Sequence, residues 1–275
     1  MKLTYVVAVV AALLVIGSAN AGVVTLVGTC VDHPMQNGTI LFMLNNTGND
    51  TANNLFLTPH IIGAQLENYT YSIAAITPGG NASLYVPINE SNMHGSYILY
   101  FDAVYQQGLS IFTAVFPCII SVGQGTVAPV FITTTGSVSN NVANLKVNVS
   151  NYFGEKLRIN VSAIIPPSFK YISSRYQIVN VSPYNYSQVN FAVQAPALAG
   201  ASYTGAIAAT YKLNGVEFST MSVVRIFKAA SQYNLLGIAT WASIAVAVAI
   251  IALLILRSYL KRRKRKDGTE ETKAQ

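Results

Sequence analysis

The chain predicts an all-β ectodomain of two tandem Ig-like β-sandwiches, followed by one C-terminal transmembrane α-helix. Three observations carry this. Short runs rich in Val, Ile, Tyr, Phe and Thr alternate with Gly, Pro, Asn and Asp turns across residues 22–228. The two halves of that region match each other in order. Finally, the 22 residues Leu235–Leu256 carry no charge and run straight into Arg257 and the cluster Lys261, Arg262, Arg263, Lys264, Arg265 and Lys266.

At the N-terminus, Lys2, the apolar stretch Val6–Ile16 and the small residues Ala19-Asn20-Ala21 read as a secretory signal peptide, 1–21, cleaved after Ala21. Strands follow near 22–30, 38–45, 53–62, 69–77, 82–88, 96–105 and 109–119, then near 128–134, 142–150, 156–165, 175–181, 187–194, 202–212 and 215–228. Seven short strands per roughly 100 residues indicate a sandwich of immunoglobulin type. The domains are therefore expected at 22–126, the outer module, and 127–234, the membrane-proximal one, each a rigid spacer. Ser96-Tyr97 and Tyr105 match Ser202-Tyr203 and Tyr211 at a displacement of 106, and Gly48 matches Gly154 likewise. Thr77-Pro78 corresponds to Ser182-Pro183 with one residue of slippage. Tandem duplication accounts for these matches.

The run 235–256 is long enough to cross a bilayer core, at about 1.5 Å per residue. The basic block, within 257–275, holds that end in the cytoplasm and leaves the β-rich mass outside. Ala242, Ala245, Ala249 and Ala252 lie on one helical face, where small side chains permit close helix approach and self-association. Tyr233 and Trp241 are interface anchors.

The formal charge of +7 misleads. Most of it sits in 257–275, so it marks topology and lipid headgroup contact and gives no support for nucleic-acid binding. The ectodomain is sparsely charged, and its charges are segregated. Residues 22–126 contain only Asp32, Asp50, Glu67, Glu90 and Asp102, whereas 127–234 hold all eight basic groups of the ectodomain against Glu155 and Glu217. Such a composition suits an acidic exterior, where protonated carboxylates hydrate little.

The only two cysteines, Cys30 and Cys118, are read as a disulfide. Ten Asn-x-Ser/Thr triplets are N-glycosylation candidates: Asn37, Asn45, Asn49, Asn68, Asn81, Asn89, Asn148, Asn160, Asn180 and Asn185. The three histidines, His33, His60 and His94, lie in separate segments without metal-ligand spacing, and no nucleophile motif is present. The expectation is a protein with no catalytic residues, no metal and no cofactor. Tyr97, Tyr100 and Phe101 are candidate core or contact aromatics.

The Asn/Gly turns (Leu41–Gly48; Val147–Gly154), the Pro turns (Thr77-Pro78-Gly79-Gly80; Ser182-Pro183) and the closing hairpins (Gly95-Ser96-Tyr97…Tyr105…Gly108; Gly200-Ala201-Ser202-Tyr203…Tyr211…Gly215, with one extra residue before the Tyr) resemble the CARDB-like or NEW3-like Ig-type modules of archaeal surface proteins. The layout is similar to the small stalk or anchor subunit of archaeal S-layers, although residues 229–234 leave no room for its coiled coil. The resemblance implies a scaffolding role: anchoring or supporting an S-layer lattice or similar envelope partner. Two other roles fit the same layout, an accessory subunit of a transport or respiratory complex and a surface adhesin or receptor.

Overall fold

Alternation of side chains sets the architecture. In the strand Val142–Asn151, Ala143, Leu145, Val147 and Val149 point inward while Asn144 and Lys146 face out. One face is thus apolar and must be covered by a second sheet. The computed structural model describes residues 22–227 apart from 33, 35–37, 68, 124–128, 140 and 197–201.

The first half supplies β1 (Leu26–Cys30), β2 (Thr39–Asn46), β3 (Ala52–Ile62), β4 (Tyr71–Ile76), β5 (Asn81–Pro87), β6 (Gly95–Gln107) and β7 (Ser110–Val122), with a 3-10 turn at Glu90–Asn92. The second supplies β8 (Val130–Ser139), β9 (Val142–Asn151), β10 (Leu157–Ile164), β11 (Lys170–Tyr171), β12 (Tyr176–Val181), β13 (Asn185–Gln194), β14 (Ser202–Leu213) and β15 (Val216–Phe227). The fold is all-β, with the expected strands plus β11, a two-residue strand paired to β13 that carries no periodicity of its own. Among the described residues no helix is long and apolar enough to cross a membrane. The run 235–256 lies outside them.

Each half is a sandwich of the same strand order. Sheet β1-β2-β5 faces β4-β3-β6-β7, and sheet β8-β9-β13, with β11, faces β12-β10-β14-β15. In the first sandwich Ile40, Phe42, Leu44, Leu55, Leu57 and Phe101 form the centre, and Phe42 stacks on Phe101 with ring centroids 3.9 Å apart. Each such side chain contributes roughly 1.5–3 kcal/mol when fully buried. Cys30 and Cys118 form a disulfide from β1 to β7, their Cα atoms 6.0 Å apart.

The correspondence of the two halves extends to their hydrogen bonds. Asn46 Nδ2 donates to the carbonyls of Asp50 (2.7 Å) and Ile76 (2.9 Å), and its Oδ1 accepts from Gly48 N (3.0 Å). Asn151 Nδ2 donates to Glu155 (2.8 Å) and Val181 (3.2 Å), and its Oδ1 accepts from Phe153 N (2.8 Å). Both side chains are buried at the end of the second strand of their sandwich, where they tie the next turn to the opposite sheet. By this geometry the counterpart of Gly48 is Phe153 rather than Gly154, so the displacement here is 105. In the closing hairpins it is 106: Gln107 pairs with Ser110, and Leu213 with Val216.

The sandwiches meet along a seam. Parallel pairing of β15 with β6, at Glu217 and Gly95, joins them. Ile98, Tyr100 and Val115 then pack against Ile164, Ala206 and Ala208 in a second apolar core. The modules lie side by side because β6 and β14 carry apolar residues on both faces. Water would otherwise wet the outer one.

Candidate functional site

The seam between the sandwiches gathers the least ordinary residues. Gly95 begins β6 at φ +110°, and a Cβ there would collide with the Glu217 carbonyl. Glycine therefore permits the close approach. Glu217 N donates to the His94 carbonyl (2.9 Å), Ser219 N to Ser96 Oγ (2.8 Å), and Ser219 Oγ to the Ser96 carbonyl (2.8 Å). Ser96 and Ser219 are buried, so these bonds satisfy groups that water cannot reach.

Farther along the seam, Arg175 reaches from the second sandwich to the first. Its Nη2 donates to the Tyr100 hydroxyl at 2.5 Å, and its guanidinium lies 5.8 Å from the ring centres of both Tyr100 and Tyr171. His60 stacks on Tyr100, ring centroids 4.9 Å apart, with Nε2 3.2 Å from Asp102 Oδ2. Burial raises the Tyr100 pKa, against the opposing pull of Arg175. Burial alone would lower that of Arg175, but Tyr100, Tyr171 and Asp102 together hold it above its ordinary value. Opposite charges from the acidic and basic halves thus meet within one chain at this point.

Beside the strand junction is an open cleft of about 340 Å³, lined by Arg158, Asn160, Ile178, Thr210, Lys212 and Glu217 of the second sandwich, and by Ile62 and Gly63 of the first. Glu217 is only 5% exposed. Its Oε2 sits 3.8 Å from Lys212 Nζ and makes no hydrogen bond, and neither does the buried Asn160 Oδ1. Desolvation raises the Glu217 pKa, with Lys212 opposing. Tyr211 packs against Phe218, ring centroids 5.2 Å apart, and burial pushes its phenol up to about 12. The cleft can offer buried acceptors and two cationic side chains to a small polar molecule. No nucleophile is paired with a base among the residues that line it.

The expected site residues fall in several places. Asn49, Asn81, Asn89, Asn180 and Asn185 are exposed, whereas Asn45, Asn148 and Asn160 are half-buried. Asn45 and Asn81 face each other across β2 and β5. Asn89 Oδ1 accepts from Ser91 Oγ at 2.6 Å within its own triplet. Asn37, Asn68 and His33 lie outside the described residues. So do the alanines Ala242, Ala245, Ala249 and Ala252 and the basic residues Arg257 and 261–266. Among the described residues no group of three or more His, Cys, Asp or Glu is placed to hold a metal. Tyr97 and Phe101 belong to the first core and Tyr100 to the seam.

The chemistry of Glu217, Arg175 and the paired Asn46 and Asn151 escapes a linear reading. For the two asparagines a signal exists: each closes a strand run and precedes a glycine by two or three residues.

No protein-family model and no curated protein matches the chain. Solved structures similar to it include Salmonella alpha-2-macroglobulin (13% identity, TM-score 0.30, covering 74% of this chain and 16% of that one). Others are red sea bream transglutaminase (13%, TM-score 0.24, 75% and 31%) and the YadV chaperone (11%, TM-score 0.29, 72% and 99%). The chain thus spans well under a third of the alpha-2-macroglobulin it matches. None of these likenesses bears on what it does.

Proposed function

We propose that the chain is a non-enzymatic, membrane-anchored structural protein of the cell surface that supports an S-layer or similar envelope assembly through protein–protein contacts. One observation carries the reading: two sandwiches are welded by a strand junction and a shared apolar core, and one of them is stapled by a disulfide. Such a body resists bending, which a load-carrying post requires, and it keeps its loops free for partners. In this reading 235–256 crosses the membrane, and Arg257 with the cluster 261–266 faces the cytoplasm. The stripe Ala242, Ala245, Ala249 and Ala252 mediates self-association.

A surface for the envelope partner is the exposed aromatic group Phe131, Tyr152, Tyr184 and Tyr186. Phe131 and Tyr152 meet edge to face at 5.6 Å, and Phe131 and Tyr186 both pair with Ser150. Aromatic side chains of this kind supply large contact area at low entropic cost.

Affinity purification of the full chain from mild detergent tests the proposal. Recovery with an abundant envelope protein, lost on Phe131→Ser and Tyr186→Ser, is the expected result. Recovery in fixed ratio with a polytopic membrane complex would overturn it, as would protease digestion of intact cells that removes 257–275 and spares the β-rich mass.

A further inference from the structure

We infer that the β6–β7 hairpin tip of the first sandwich, Gly108-Leu109-Ser110-Ile111, inserts into the lipid interface. The inference rests on the membrane-anchored reading above and adds a second point of contact with the bilayer.

Its basis is where the tip lies and what it is made of. β6 and β15 run parallel, so both head toward the same end of the molecule. Two contacts fix the levels. Tyr203 pairs with Ile226 near the end of β15. Phe169 packs edge-on against Tyr203 at 4.9 Å, and the neighbouring Ser168 Oγ lies 2.6 Å from Thr113 Oγ1. Tyr105 stacks on Phe112 at 5.7 Å, so the base of the tip is level with the last residues of β15. The turn lies three residues beyond, about 10 Å at strand rise. From Phe227 only seven residues, 228–234, precede the uncharged run. They reach no farther than about 25 Å. The tip therefore lies at the end of the sandwich pair at which β15 ends.

Its composition suits the place. Tyr105–Phe116 contains no charge. Leu109 is fully exposed and Ile111 largely so, and Val23 is exposed beside them, held there by Val24 N donating to Gln107 Oε1 (3.3 Å). The duplicated hairpin makes the contrast. The counterparts of Leu109 and Ile111, at the displacement of 106, are Gly215 and Glu217, in an Asn-Gly turn of the kind tight hairpins ordinarily use. A water-facing turn has no use for an exposed Leu and Ile side by side. A turn that meets acyl chains does.

The full chain, reconstituted in phosphatidylcholine nanodiscs with and without brominated lipid, provides the test. Cys30 and Cys118 are joined, so Leu109→Cys carries a unique thiol for an environment-sensitive fluorophore. Tyr152→Cys, at the opposite end of the second sandwich, is the reference. Trp241, the sole tryptophan, reports the anchor independently. The expected result is a blue shift and loss of emission at 109, neither at 152, and quenching of Trp241. A label at 109 that behaves like the one at 152 while Trp241 is quenched overturns the insertion and leaves the anchor standing. Crosslinking of 109 to a second copy without lipid quenching also overturns it, in favour of a protein contact. An unquenched Trp241 removes the anchor and the inference together.

Discussion

The two sandwiches share a strand order and hold their edge strands differently. In the first, β1 is five residues long and pairs over five positions with β2; in the second, β8 is ten residues long and pairs with β9 over all ten. The short strand is tied to β7 by Cys30–Cys118, and the long one has no such tie. Register places Thr134 where Cys30 stands, opposite Val147 as Cys30 is opposite Phe42, and Val224 where Cys118 stands. Thr134 Oγ1 is buried without a hydrogen bond. One edge strand is held by a short ladder and a covalent staple, the other by a ladder twice as long.

Removing the staple should produce the largest effect. Cys30→Ser with Cys118→Ser releases a loop of 88 residues, a loss of about 4–5 kcal/mol in the chain-entropy account. Thermal and urea unfolding of the variant should still show one transition, because the seam couples the modules. Two separated transitions would break the comparison by showing that the sandwiches melt independently.

Next come the paired asparagines. Asn46→Ala and Asn151→Ala each leave buried carbonyls unpaired, at a cost of about 2–3 kcal/mol. The two costs should be similar, since each amide ties its turn to the opposite sheet, with Asn151 also donating to the Ser182 carbonyl (3.3 Å) and Asn46 also accepting from Thr25 N (3.4 Å). A large inequality would show that the longer β8 ladder supports the second turn by other means.

Transplanting the staple is the converse experiment. Thr134→Cys with Val224→Cys should form a disulfide on oxidation and stabilise by about 2 kcal/mol. Part of that gain comes from removing the unsatisfied hydroxyl. Failure to oxidise would mean that β8 and β15 diverge from the spacing of β1 and β7.

The smallest effect concerns the seam. Glu217 has a folded-state pKa raised by desolvation, so its protonated form is favoured on folding. Its contribution is fully present below the unfolded value near 4.5 and is lost as pH rises through the folded value. Glu217→Gln should therefore raise stability by about 1 kcal/mol at pH 7 and change little at pH 3. Paired denaturation curves at the two pH values check this. An equal effect at both would trace the change to packing rather than ionisation. The direction suits an acidic exterior, because the seam tightens where most buried carboxylates loosen.

Much of the fold is legible in the sequence. Val/Ile/Tyr runs between Gly and Asn turns located the strands, because strand alternation and turn chemistry are local. The disulfide followed from two cysteines in the edge strands of one module. The side-by-side seam was not legible. Its one sequence signal is the unbroken apolar run Tyr97–Phe101, which looks like core whether one face or both are covered. The cleft was hidden for a related reason: Arg158, Asn160, Lys212 and Glu217 lie on three strands, and Gly63 comes from the other sandwich.

The sequence alone determined the β class, the doubling, the staple and the asymmetry of charge, since each depends on residue type and short-range period. The tertiary structure decided that the sandwiches lie alongside one another, that Glu217 is buried between them, and that the Leu109 tip shares an end with the last strand. Those outcomes depend on which outer faces find each other. That choice is made by shape and by the cost of leaving Ile98, Tyr100 and Ala208 wet.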